Sequence, residues 1–399
     1  MKNLIRVAGS TALALSFGAV AFGQNYTQVN LVSNTSGVAP TTDPELVNAW
    51  GISRGPTGNW WISDNKTGVS TLYAGAGIKA ALTVTIPANP NNEKTKIGSP
   101  TGTIFNDVDF NSNQDFILSN GKPAEFLFST LDGTIAGWNA TVALAAGAAA
   151  PSTHAVTVVT TKDGSGYTGL TSSFVEGTRF LYAANFALGR VDVYDNSFHI
   201  VHLDGGHPIT AGNGSFVDLN IPTNFAPFNV QAIGQNIVVT YAMHDAGSVK
   251  SIPGPGLGYV DIYSSAGQLL QRLDNGDQLN APWGVALAPL EFGSASHELL
   301  IGQFAAGGTT QSAGFIAEYN PTTGHFDGLL KDASGAPIAI NGLWDITFGN
   351  AGSPQPGPYD PAGAPGAEMF FSAGPNGGTA GLFGYLKPVS TDFVQGNDQ

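Results

Sequence analysis

An all-β chain of repeated four-stranded units, closed into a six-bladed β-propeller, is the fold this sequence predicts, and three observations predict it. Three segments read alike: Asn48-Ala49-Trp50-Gly51-Ile52, Asn280-Ala281-Pro282-Trp283-Gly284-Val285 and Asn341-Gly342-Leu343-Trp344-Asp345-Ile346. Each is Asn, a short spacer, Trp, a small or acidic residue and then a β-branched one, and each is followed by a Gly/Pro/Ser-rich turn and an apolar strand. A second echo, Val191-Asp192-Val193-Tyr194 against Val260-Asp261-Ile262-Tyr263, recurs between these units. The third observation is composition: 53 Gly, 24 Pro and only 11% charged residues suit short strands joined by many turns. Long amphipathic helices would need far more Glu, Lys and Arg for their wet faces.

The elements follow in order. Second strands are expected at Trp60 to Asp64, Arg179 to Phe186, Asn236 to Met243, Glu298 to Gly302 and Glu368 to Ser372. Third strands follow at Gly189 to Asp195, Gly258 to Ser264 and Phe315 to Asn320, and outer strands at Phe198 to Leu203, Gln268 to Leu273 and His325 to Leu330. Their alternation suggests one face in the sheet packing and one outward. Inner strands fall near Trp50, Gly102, Leu170, Val230, Trp283 and Trp344, which makes six units. Each spans roughly 50 to 65 residues, longer than a compact blade of about 40 to 45, with the excess in loops. The last unit lacks a fourth strand after Leu382 to Leu386, and Tyr26 to Val32 is a strand without a unit. Pairing the two closes the ring and removes exposed edges. Seven blades is the alternative, because Asn139 to Thr161 is long and irregular. Two packed β-sandwiches are the rival architecture, but no linker divides the regular repeats. One domain over residues 24–390 with a polar tail at 391–399 results.

Net charge is −14, and no Cys is present. An acidic surface disfavours nucleic acid and anionic lipid as partners. Without Cys there are no disulfides, haem attachment motifs or thiolate metal sites. Lys2 and Arg6 precede an apolar run from Val7 to Phe22, and Ala21-Phe22-Gly23 carries small residues where a signal peptidase reads. Residues 1–23 thus read as a signal peptide, and the chain as exported, periplasmic or extracellular. The run is short of the roughly 20 residues that span a bilayer, and no later segment is apolar enough to be a transmembrane helix.

Propeller geometry restricts where a site can lie. Strands A to D run from the axis outward, so loops entering strand A and loops joining B to C emerge at one end. Asn48, Asn229, Asn280 and Asn341 lie at or beside A-strand entries. Asp64, Asn65, Asn185, His244, Asp245, Gln303 and Asn376 lie at or after B-strand ends. Such a ring of oxygens suits a divalent cation such as Ca²⁺ or a polar ligand, whereas the structural reading makes these residues turn caps. Asp107, Asp109, Asn111, Asn113 and Asp115 alternate like a calcium loop, but the sixth-position Gly and closing Glu are missing. His199, His202 and His207 cluster in sequence, but His199 and His202 point to opposite faces of a strand and do not easily share a metal. His244-Asp245 is better placed for acid/base work. Gly164 to Gly169 matches GxGxxG by letter, yet a strand follows it, leaving no helix N-terminus for a pyrophosphate. Nucleophile-elbow, zinc-helix and P-loop motifs are absent.

Leu46 to Ile52, Trp61 to Asn65, Pro100 to Asn106, Phe126 to Trp138, Leu181 to Phe186 and Asn280 to Val285 resemble a bacterial family of secreted, PEP-CTERM-associated proteins without an established activity. The resemblance covers nearly the whole mature chain, and Asp132-Gly133-Thr134-Ile135-Ala136-Gly137-Trp138 is its most specific segment. Some relatives end in a Pro-Glu-Pro sorting signal, which this sequence lacks. The architecture is also similar to NHL-type and gluconolactonase-like propellers, at the level of fold, which does not fix function. The expectation that results is a monomeric ligand-binding or extracellular scaffold module, taking a polar small molecule, glycan or peptide. The alternative is a metal-dependent hydrolase or lyase of lactones or esters.

Overall fold

A computed structural model describes residues 25–55, 58–92, 96–106, 114–203, 215–304, 313–349 and 368–389. The leader at 1–23 and the tail at 391–399 therefore lie outside the described residues, as do Asp107 to Asn113 and His207. Six blades stand in a ring. Their inner strands, A, are Ala49–Ser53, Pro100–Phe105, Tyr167–Val175, Phe225–Ile233, Pro282–Leu287 and Leu343–Phe348. The B strands are Trp60–Asp64, Phe126–Thr130, Thr178–Asn185, Asn236–Met243, Leu299–Gln303 and Met369–Ala373. In blade 6, strand C (Leu382–Pro388) pairs antiparallel with Tyr26–Ser33, so the first described strand is strand D of the last blade. The ring is thereby closed by hydrogen bonds between the two ends of the chain, as the unpaired terminal strand predicts. No helix among the described residues is long and apolar enough to cross a membrane.

Outer strands such as Leu269–Arg272 and Phe326–Leu329 keep exposed positions, but in four blades the B strand does not. Trp60–Asp64, Phe126–Thr130, Leu299–Gln303 and Met369–Ala373 are buried at every position. Each blade is covered on both faces by its neighbours, so both sets of alternating side chains are removed from water. The core is accordingly a series of layers between blades. Trp61 of blade 1 stacks on Phe126 of blade 2 at 4.0 Å, and on its other face Trp60 meets Phe370 of blade 6 at 4.4 Å.

Strand A of every blade carries a β-bulge at the same place. Register slips between Ala49 and Ile52, Pro100 and Thr103, Tyr167 and Gly169, Pro227 and Asn229, Pro282 and Val285, and Leu343 and Ile346. A bulge leaves an extra residue unpaired and re-aims its side chain. The residues within these slips include Trp50, Thr101, Thr168, Phe228, Trp283 and Trp344, and the four aromatic ones meet on the ring axis. Trp50 lies 3.4 Å from Trp344 in a stack, 6.0 Å from Trp283 and 6.5 Å from Phe228 (centroid distances). Phe304 stacks on Trp344 at 4.0 Å. Aromatic side chains thus fill the axis at the end where chains enter strand A.

Candidate functional site

The sequence-predicted ring lies at this filled end. Most of its members are buried and use their polar atoms within the protein. Asn48, at φ 53°, donates from Nδ2 to Asn65 Oδ1 at 3.1 Å and accepts the Trp344 indole N–H at 3.1 Å. Asn65 in turn donates to the Pro100 carbonyl. Asn185 joins Asp192 at 2.7 Å and Ser165 at 2.9 Å. Asn229 donates to the Trp283 carbonyl at 2.8 Å. Gln303 accepts the Asn280 backbone N–H at 2.8 Å, and Asn280 Oδ1 accepts from the Gly254 N–H. The buried His244 ring packs on Phe186 at 4.7 Å, while Asp245 and Asn376 are exposed. Asp64 Oδ2 accepts the N–H and hydroxyl of Thr71. Its other oxygen and Asn341 Oδ1 are buried without a hydrogen-bond partner among the described residues. Burial holds the Asp64 carboxyl well above the usual carboxylate range despite the two bonds from Thr71. The structure brings together Asn48 with Asn65 and Asn280 with Gln303; Asn185 and Asn229 are tied within their own neighbourhoods.

The axis opens at the opposite end. Past the bulges, the A strands of blades 1, 2, 3, 4 and 6 line a cavity of about 720 Å³. Its wall mixes hydroxyl and amide side chains, among them Ser53, Thr103, Thr171, Ser173, Gln231 and Thr347, with apolar ones such as Ile104 and Phe105. Among the described lining residues, Asp345 is the one carboxylate, and Arg54 and Arg179 are the cations. Asp345 is 7% exposed and accepts N–H groups from Ile52 at 2.8 Å and Ile346 at 2.9 Å. Burial outweighs those two bonds and pushes its carboxyl up to about 7. Both guanidinium groups sit over aromatic rings: Arg54 is 5.2 Å from the Trp60 centroid and Arg179 is 5.1 Å from Phe174. Arg179 donates from Nη2 to Ser172 Oγ at 2.9 Å. Stacking of this kind holds a guanidinium plane in place.

Sequence reasoning missed this end. One signal was present in the repeat: where two units have Trp-Gly, at Trp50-Gly51 and Trp283-Gly284, the third has Trp344-Asp345. A Cβ at Gly284 would stand 2.6 Å from the Trp344 carbonyl, and at Gly51 2.7 Å from that of Thr101, so glycine there lets neighbouring inner strands touch backbone to backbone. At the seam between blades 6 and 1 a carboxylate replaces that contact and bonds across it to Ile52. Of the alternating acidic loop, Asp115 alone is described, and it accepts from Asn196 at 2.8 Å. His199 is exposed beside Asp195. Among the described residues no three His, Asp or Glu side chains stand together as metal ligands.

No family model matches the chain. Two uncharacterised proteins of Acanthamoeba polyphaga mimivirus are similar to it. R648 is 28% identical over 78% of this chain and 71% of its own length; L690 is 27% identical over 89% and 84%. These relatives are viral, which departs from the bacterial PEP-CTERM-associated family that the motifs resemble. Among solved structures, a streptogramin B lyase matches at TM-score 0.43 and 12% identity, over 92% of this chain and 98% of that one. A protein of unknown function from Bacteroides thetaiotaomicron matches at TM-score 0.49 and 12% identity, over 92% and 76%. Similarity at that distance concerns the fold, and no activity is taken from it.

Proposed function

We propose that the chain is an exported β-propeller that binds a polar small molecule in its axial cavity. The observation that carries this reading is the cavity itself. It is a space of about 720 Å³, blocked toward one end of the axis by the aromatic cluster and walled by convergent hydroxyl, amide and charged groups. Its volume lies within the range of small-molecule sites, roughly 300 to 1,000 Å³. Rigid inner strands present the polar groups, so little ordering accompanies binding. The positively charged, then apolar leader segment supports export.

The test is a thermal-shift screen of polar metabolites against the full chain and the variant Thr347→Trp, which fills the cavity from a half-buried position on its wall. A ligand that raises the melting temperature of the parent and not of the variant supports the assignment, since binding to the native state alone stabilises it. A purely structural spacer would give no such ligand. An equal shift in both proteins would place binding elsewhere.

A further inference from the structure

The charge of the cavity wall runs against the charge of the molecule. The chain carries −14 overall, yet the described lining holds Arg54 and Arg179 against the single carboxylate of Asp345. That carboxylate is also turned to the backbone: its two oxygens take the N–H groups of Ile52 and Ile346. Its burial favours the neutral form, which leaves the wall more positive still. Arg179 is 5% exposed, and its guanidinium is anchored to the same wall by bonds to Ser172 Oγ. Both guanidinium groups are held against rings, so their forks are set before a ligand arrives. Six side-chain hydroxyls, from Ser53, Thr103, Thr171, Ser172, Ser173 and Thr347, stand on the wall among apolar residues such as Ile104 and Phe105. These hydroxyls match a partner with several hydroxyl groups of its own.

We propose that the ligand of this cavity is a small hydroxylated anion, its acidic group taken by Arg54 and Arg179 and its hydroxyls by the Ser and Thr wall. This rests on the axial cavity being the binding site. A phosphate ester, a sulfate ester and a carboxylate share the chemistry, because each offers a planar pair of oxygens to a guanidinium fork. The overall negative field slows the approach of such a ligand at low ionic strength but is screened within about 8 Å at physiological salt.

Titration calorimetry on the full chain separates the possibilities, with glucose 6-phosphate, glucose 6-sulfate, glucuronate and uncharged glucose as probes. At least one charged sugar is expected to bind roughly tenfold or more tightly than glucose, the ratio expected from a charge-assisted hydrogen bond. The order of the three identifies the acidic group. Arg54→Gln, at a half-buried rim position, is expected to remove that preference in a protein that still melts cooperatively; Arg179→Lys, which keeps the charge but not the planar fork, should weaken it without abolishing it. Glucose binding as tightly as all three anions, or an Arg54→Gln variant with the preference intact, overturns the anion assignment and leaves the cavity as a site. No binding by any probe also overturns it. Charged sugars that bind Thr347→Trp as well as the parent overturn both the anion assignment and the cavity as their location.

Discussion

Trp50 and Trp344 are stacked face to face on the axis, but their indole N–H groups are placed differently. Trp344 Nε1 donates to Asn48 Oδ1 at 3.1 Å, whereas Trp50 Nε1 is buried with no hydrogen-bond partner among the described residues. The two side chains bury comparable apolar area, so replacing either by Phe removes a similar volume from the same cluster. Trp344→Phe, however, also strips Asn48 of the donor to its buried oxygen. It should cost about 1 to 2 kcal/mol more than Trp50→Phe, the ordinary penalty for orphaning a buried acceptor. Urea unfolding of the two variants measures the difference; equal losses would mean that the Asn48 contact contributes nothing. The same pair explains why an Asn that looks like a ligand at the end of the axis is instead a support for the plug.

At the scale of the element, the inner strands are held by what they lack. Gly51 and Gly284 have no room for a Cβ, because the nearest atoms belong to the backbone of the next blade and cannot rotate away. Gly51→Ala is expected to destabilise by about 1 to 3 kcal/mol, as other overpacked positions do, by forcing blades 1 and 2 apart. Gly75→Ala is the control, since its Cβ would meet nothing within 4 Å, and its melt should be unchanged. A pair of similar melting temperatures would show that the blades adjust freely. Farther out, a Tyr on strand C repeatedly closes a polar clasp. Tyr73 donates to Asp43 at 2.6 Å beside Lys79, while Tyr194 and Tyr167 share a hydrogen bond near Asp192 and Arg190. Tyr263 and Tyr241 do the same near Asp261 and Arg272. The Val-Asp-Val-Tyr echo in the sequence is this clasp. It places an acid and a Tyr two residues apart on one face of the strand, as the period of two requires.

For the whole molecule, the buried acids set the pH dependence. Burial raises Asp345 to about 7 and Asp261 to about 6, the latter despite Arg272; burial and the charge of Glu298 raise Glu318 to about 7. Their ordinary values are 3.8 for Asp and 4.5 for Glu. Between those values and the raised ones, the folded chain holds protons that the unfolded chain has released. Stability therefore falls as pH rises from about 4 to about 7. Burial also raises Asp43, but bonds from Lys79 and Tyr73 outweigh it and hold the carboxyl below its usual value, a contribution lost on strong acidification. Thermal melts across pH 3 to 8 should thus peak on the acidic side of neutrality. A stability that rose steadily toward pH 8 would show that these carboxyls are ionised in the folded protein.

The repeated Trp segments, the strand echo and the strand without a unit pointed to six blades, with seven as the alternative, and to a closure by the strand that the structure places at Tyr26–Ser33. These features are local: each strand, turn and Gly is written in a few consecutive residues. Which end of the axis is open was not legible. The bulges that aim Trp50, Phe228, Trp283 and Trp344 inward leave only faint marks in sequence, and their side chains converge only once the ring has closed. Asn48 illustrates the limit, because its partner Trp344 lies 296 residues away. Composition and periodicity determined the blades and their order, and the closed ring decided between six and seven. Contacts between distant segments decided that the Asn-rich end is packed and the Ser/Thr/Arg end is hollow, because a polar side chain is structural or free to bind according to what the closed ring sets beside it.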